Sequence, residues 1–99
     1  MNIRYHAEAS IEIDEAFKWY ESQKAGLGLK FIDMAVTTVH RILNFPQLHP
    51  LISKNLRRAI LPIFPYGVIY SIDNDTIEVY ALAHLHRQPY YWKKRTVKK

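Results

Sequence analysis

The sequence predicts an α+β fold: a short N-terminal strand, an antiparallel hairpin of two helices, then a three-strand antiparallel meander and a short C-terminal segment, with the helices packed on one sheet face. Three observations predict it. Apolar residues recur at helical spacing in two stretches before Pro46, the periodicity changes to strand-like alternation after Pro50, and Asp73-Asn74-Asp75 forms a turn short enough for a hairpin. The order of strand, helices and strands is that of a layered domain with helices segregated to one face. With 99 residues the chain is expected to make one domain.

Ile3 and Tyr5 alternate with polar neighbours and suggest the first strand. A helix follows from Ala7 to Lys24, with Ile13, Ala16, Phe17 and Tyr20 on one face. Glu8, Glu12, Asp14 and Glu15 crowd its N-terminal half, where the helix dipole favours negative charge. Gly26 is expected as its left-handed C-cap. The second helix runs from Gly28 to Phe45, with Ile32, Ala35, Val36, Val39, Ile42 and Leu43 on its apolar face, and Pro46 stops it.

Beyond Pro50, Leu56–Leu61 reads as a strand interrupted by Pro62 and Pro65, which suits an edge or a bulge. Tyr66–Ile72 follows, with Val68, Tyr70 and Ile72 on one face, and then Thr76–His84, with Ile77, Val79, Ala81 and Ala83 on one face. The opposite residues of that last strand include Tyr80 and Leu82, so it is expected to be central and covered on both sides over part of its length.

Charge is unevenly placed. The net charge is +5, yet residues 1–33 hold six acids against four bases and residues 34–99 hold three acids against ten. A one-sided field of this kind favours encounter with a polyanion or an acidic protein. Cysteine is absent, which excludes disulfides, thiolate chemistry and cysteine-based zinc sites. Nothing approaches the roughly 18–20 apolar residues of a membrane span, and the N-terminus lacks an apolar signal region, so a cytoplasmic location away from membranes is expected.

Three groups carry candidate chemistry. Arg57 and Arg58, with Lys54 close by, offer rigid forks for phosphate or carboxylate, and being adjacent on a strand they point to opposite faces. The alternative reading is that they are charges guarding an exposed edge strand against aggregation. His84-Leu85-His86-Arg87 places two imidazoles on one side of a strand end, suited to proton transfer, with no third ligand evident for a metal. Pro89-Tyr90-Tyr91-Trp92-Lys93-Lys94-Arg95 interleaves aromatics with bases in the manner of nucleic-acid contacts, while Trp92 also suits a core plug. No phosphate-binding loop, dinucleotide fingerprint or His-Glu-x-x-His is present, and paired catalytic carboxylates are hard to place near these bases. No cofactor or metal is therefore expected.

The chain resembles toxins of the RelE/ParE superfamily from bacterial type II toxin–antitoxin modules. The resemblance rests on Ala16-Phe17-Lys18-Trp19-Tyr20-Glu21, Gly26-Leu27-Gly28 with Phe31, Pro46 with Pro50, Arg57-Arg58, Phe64-Pro65-Tyr66 with Ile69-Tyr70, and His84 to Trp92 with Arg95. It implies a growth-inhibiting protein neutralised by a cognate, commonly acidic antitoxin encoded beside it, with operator DNA bound only through that antitoxin. RelE-like members cut mRNA on the ribosome without a metal; ParE-like members block DNA gyrase by binding.

On the RelE-like pattern Arg87 matches one important arginine, but the other falls on Gly67, and the catalytic tyrosine falls near Trp92 or Lys93 with Tyr90 and Tyr91 adjacent. The resemblance thus implies Arg87, His84, His86 and Tyr91 as the catalytic set if the chain is a nuclease. It implies Lys54, Arg57, Arg58, Tyr66, Arg87, Trp92, Lys93, Lys94 and Arg95 as target-binding residues. The departure at Gly67 tips the expectation toward gyrase binding. Ribosome-dependent mRNA cleavage, and a non-toxic relative that keeps only partner binding, remain the alternatives.

Overall fold

The structure, a computed structural model, describes residues 1–86 and 91–96. Its elements are β1 (Asn2–Tyr5), α1 (Ala7–Gln23), α2 (Leu27–Asn44), β2 (Arg57–Ile60), β3 (Tyr66–Asp73), β4 (Thr76–His84) and a terminal 3-10 turn (Tyr91–Thr96). The strands form one sheet in the order β1-β4-β3-β2. The β2–β3–β4 meander is antiparallel as expected; β1 joins it parallel to β4, with Ile3 opposite Ile77 and Tyr5 opposite Val79, so the sheet is mixed.

The link between the helices differs from its expectation. Gly26 does take the left-handed conformation (φ 88°), but as the N-cap of α2, whereas Lys24 in extended conformation ends α1. Glu21 of α1 supplies what a capping side chain would: its Oε2 accepts the Gly26 N–H at 2.9 Å and its Oε1 the Gly28 N–H at 2.9 Å. Gly28 is required by proximity, because a Cβ there would stand 2.7 Å from the Phe17 carbonyl oxygen and 2.9 Å from Glu21 Cβ.

The buried face of α2 is also turned from the expected one. Gly28, Phe31, Ala35, Thr38 and Ile42 are buried, while Val36 is exposed. Phe31 sets this rotation by packing 5.4 Å from each of Tyr20, Phe64 and Tyr66. Thr38 tolerates the core because its hydroxyl donates to the Met34 carbonyl at 2.8 Å.

A β-bulge divides β4. Ile69 pairs with Ala81 and Tyr70 with Val79, leaving Tyr80 as the extra residue. Side-chain parity flips there. Ile77, Val79 and Leu82 face the helices, whereas Ala81 and Ala83 join Leu56, Ile69 and Trp92 in a second cluster. The expected single face of Ile77, Val79, Ala81 and Ala83 is therefore wrong in its second half, although β4 is central and covered on both sides.

The helix-side core holds Phe31, Ile42, Phe64, Val68, Tyr70, Ile77 and Val79. Tyr70 is fully buried, and its hydroxyl donates to the Pro46 carbonyl at 2.7 Å, fixing the chain as it leaves α2. Trp92 is 4% exposed and closes the other face of the sheet, the core role that its size favours. Among the described residues no helix is long and apolar enough to cross a membrane.

Candidate functional site

Alternation on β2 separates the two arginines. Arg57 sits opposite Tyr70, a helix-side residue, and its Nη1 donates to the carbonyls of His49 at 2.6 Å and Gln47 at 3.2 Å. It ties down the segment between α2 and β2. Burial, with the charges of Arg41 and Arg57 nearby, pushes His49 below the usual histidine range, so that segment keeps a neutral imidazole.

Arg58 lies on the other face, opposite Ile69, and its stem crosses Gly67: a Cβ on Gly67 would stand 2.9 Å from Arg58 Cγ and 3.1 Å from Cδ. The position where a RelE-like nuclease would carry an arginine is thus roofed by an arginine from the neighbouring strand. Arg58 Nε is buried and has no hydrogen-bond partner among the described residues. Lys54 is exposed in the turn before β2.

The C-terminal turn tells a different story from its sequence. Arg95 reads as a free cation but is held by α1. Its Nη1 meets Glu12 Oε1 at 3.0 Å and its Nη2 meets Oε2 at 3.1 Å; Nε approaches Glu8 at 3.3 Å, and Nη1 also donates to the Tyr80 carbonyl at 3.1 Å. Burial works against this charge, and the carboxylates more than offset it, raising Arg95 above its usual value.

Tyr91 donates its hydroxyl to Glu12 Oε2 at 2.9 Å and lies 5.2 Å beneath the Arg95 guanidinium. Glu12 Oε1 also accepts the Leu82 N–H at 3.0 Å. One carboxylate thereby serves a strand amide, a phenol and a guanidinium. Of the residues expected to contact a target, Arg95 is placed as a clamp on α1 and Trp92 in the core.

His84 and Tyr66 meet at the far end of the sheet, their rings 5.0 Å apart, and both line a cleft of about 570 Å³ beside α1. The His86 N–H donates to His84 Nδ1 at 3.1 Å, which places the proton of the neutral imidazole on Nε2. His86 is exposed, its ring 5.5 Å from that of His84. Arg87 lies outside the described residues, as do the side chains of Lys93 and Lys94. Among the described residues no group of three His, Asp or Glu side chains could hold a metal.

Sequence reasoning missed the acidic hubs. Glu12 was read with its neighbours as dipole complement, yet its place next to the buried Ala9–Ala16 stripe marks it as half-inward. Glu78 is 5% exposed and takes Arg4 through both oxygens at 2.9 and 2.8 Å, with His6 Nε2 3.0 Å from Oε1. Burial pushes this carboxyl up, but the hydrogen bonds and charges of Arg4 and His6 outweigh it and hold Glu78 below its usual value.

Of the described cations expected to contact a target, Lys54 and Arg58 make no ion pair among the described residues, while Glu12 engages Tyr91 and Arg95.

A comparison with curated proteins finds no match. Among solved structures the chain is similar to one described as the chromosomal ParDE TA system from P. aeruginosa, with TM-score 0.64 and 15% identity over 86% of this chain and 96% of that one. That likeness is one of fold. The family model described as the ParE toxin of the type II toxin-antitoxin system, parDE, matches residues 3–89. With the strand, helix hairpin and meander of that fold in place and the family pattern spanning nearly its whole length, the chain belongs to the ParE toxin family of type II toxin–antitoxin systems.

Proposed function

We propose that this toxin arrests growth by binding DNA gyrase, and that a cognate acidic antitoxin neutralises it by covering the same basic ground. The observation that carries this reading is the engagement of Tyr91 and Arg95 by Glu12. A tyrosine whose hydroxyl serves a carboxylate, and an arginine already neutralised by two, are poor agents for proton transfer and for stabilising a phosphorane. Gly67 supports the same reading, since no side chain projects from the position of the nuclease arginine and Arg58 fills its space.

Lys54 and Arg58 are the contacts offered to the target, and the charge excess of residues 34–99 speeds encounter with acidic protein. Operator DNA is reached through the antitoxin. The test is a supercoiling assay with purified toxin, run beside transcript mapping after induced expression. Inhibited supercoiling with intact transcripts is expected. Normal supercoiling at toxin excess overturns the reading; codon-phased cuts in mRNA would replace it with ribosome-dependent cleavage.

A further inference from the structure

The described lining of the cleft beside α1 holds two carboxylates and no lysine or arginine. Helical spacing brings Glu12, Glu15 and Trp19 to one side of α1, and Tyr66 and His84 form the opposite wall. Its aromatic lining is continuous: Trp19 meets Tyr20 at 5.1 Å, Tyr20 meets Tyr66 at 6.2 Å and Tyr66 meets His84 at 5.0 Å, all edge to face. Trp19 is nonetheless 57% exposed, an unusual state for the largest apolar side chain.

The charges fit the rings. Glu12 is satisfied by Arg95, Tyr91 and Leu82. Glu15 makes no ion pair among the described residues, and the nearby helix cation, Lys18, is taken by Asp14 at 3.0 Å. Among the described residues the cleft therefore presents aromatic faces, which carry negative potential, beside one carboxylate with no ion pair. A phosphate or an acidic side chain is repelled from it; a flat cation is attracted.

We infer that this cleft receives an arginine side chain from the antitoxin, its guanidinium stacked on Trp19 and paired with Glu15. Arginine is favoured over lysine because its plane stacks on a ring while its edge forks to a carboxylate. A cavity of about 570 Å³ accommodates a whole side chain with flanking backbone. The inference rests on the antitoxin partnership proposed above for the source of that arginine. It gives the antitoxin a cationic anchor on α1 to complement acidic contacts on the basic face, and so fixes orientation by charge pattern.

The test follows tryptophan fluorescence of the purified toxin during titration with N-acetyl-arginine amide and with its neutral isostere, N-acetyl-citrulline amide. Trp19 is the reporter, because Trp92 is buried. A saturable change with the arginine amide is expected, roughly fivefold weaker for the citrulline amide and for Glu15→Gln, and absent in Trp19→Phe. Purified cognate antitoxin should block it. Equal response to both amides, indifference to Glu15→Gln, persistence under saturating antitoxin, or displacement of the amide by oligouridylate each overturns the inference. An antitoxin-blocked arginine response in a protein that leaves gyrase untouched would sustain the cleft assignment while removing the gyrase reading.

Discussion

Glu12 and Arg95 form a two-pronged ion pair, with both carboxylate oxygens about 3 Å from the two terminal guanidinium nitrogens, joining the first helix to the last turn. Each side chain is only 15% exposed. Removing the carboxylate strands the guanidinium, the Tyr91 hydroxyl and the Leu82 N–H together. Glu12→Ala should cost about 2–4 kcal/mol, lowering Tm by roughly 10–20 °C, as read by circular dichroism. Arg95→Lys keeps the charge but loses the fork, and a smaller loss is expected of it.

Gly67 and Arg58 make a separable pair. The Cβ of Gly67→Ala would stand 2.9 Å from Arg58 Cγ, near the root of that side chain, so the arginine must be displaced at a stability cost of about 1–3 kcal/mol. Arg58→Ala should relieve growth arrest with only a small fall in Tm, from the packing its stem loses over Gly67, and Gly67→Ala should weaken the arrest partly. A growth assay paired with thermal melts checks both.

The Glu78 carboxyl predicts an acid-sensitive stability. Its folded value is depressed, so its contribution is present above the ordinary carboxylate range near 4.3 and lost as pH falls through its folded value. Glu78→Gln should flatten the acid limb of a Tm–pH curve. Arg4→Met leaves the buried carboxylate with less support and should move that limb to higher pH.

Tyr70 predicts the alkaline limb. Burial pushes its phenol up to about 12, so its contribution is complete below pH 10 and lost as pH rises toward 12. Tyr70→Phe removes the hydrogen bond to Pro46 at a cost of about 1 kcal/mol and should weaken the alkaline destabilisation. Gly28→Ala, by contrast, drives a Cβ against the Phe17 backbone, and about 2 kcal/mol or more of destabilisation is expected at every pH.

Element order was legible because periodicity and prolines mark it directly, and β4 was placed to the residue from Thr76 to His84. What escaped were features that depend on pairing across the fold. The bulge at Tyr80 exists only relative to β3, so alternation counted along β4 alone assigns Ala81 to the wrong face. Likewise the turn of α2 is set by Phe31 meeting rings from α1 and the β2–β3 segment, which no single-helix pattern contains.

The site shows the same division. Trp92 was readable as core from its size, but the cationic run that follows it looked like free charge, because the carboxylate that holds Arg95 lies 83 residues earlier in the chain. Glu12 in turn was hidden among four acids with the same apparent purpose. The Arg57–Arg58 alternation predicted opposite faces correctly, and only the pairing with Tyr70 and Ile69 could say which arginine stays available.

That long reach has a consequence for how the molecule is made. Synthesis delivers the first helix long before residues 91 and 95, so a nascent chain emerging from the ribosome first carries Glu12 with neither its cation nor its phenol. The sheet face that Trp92 covers is open during the same interval. The toxin thus reaches its closed form only after residue 95 has been made, and products truncated before it are born without the clasp between the first helix and the last turn.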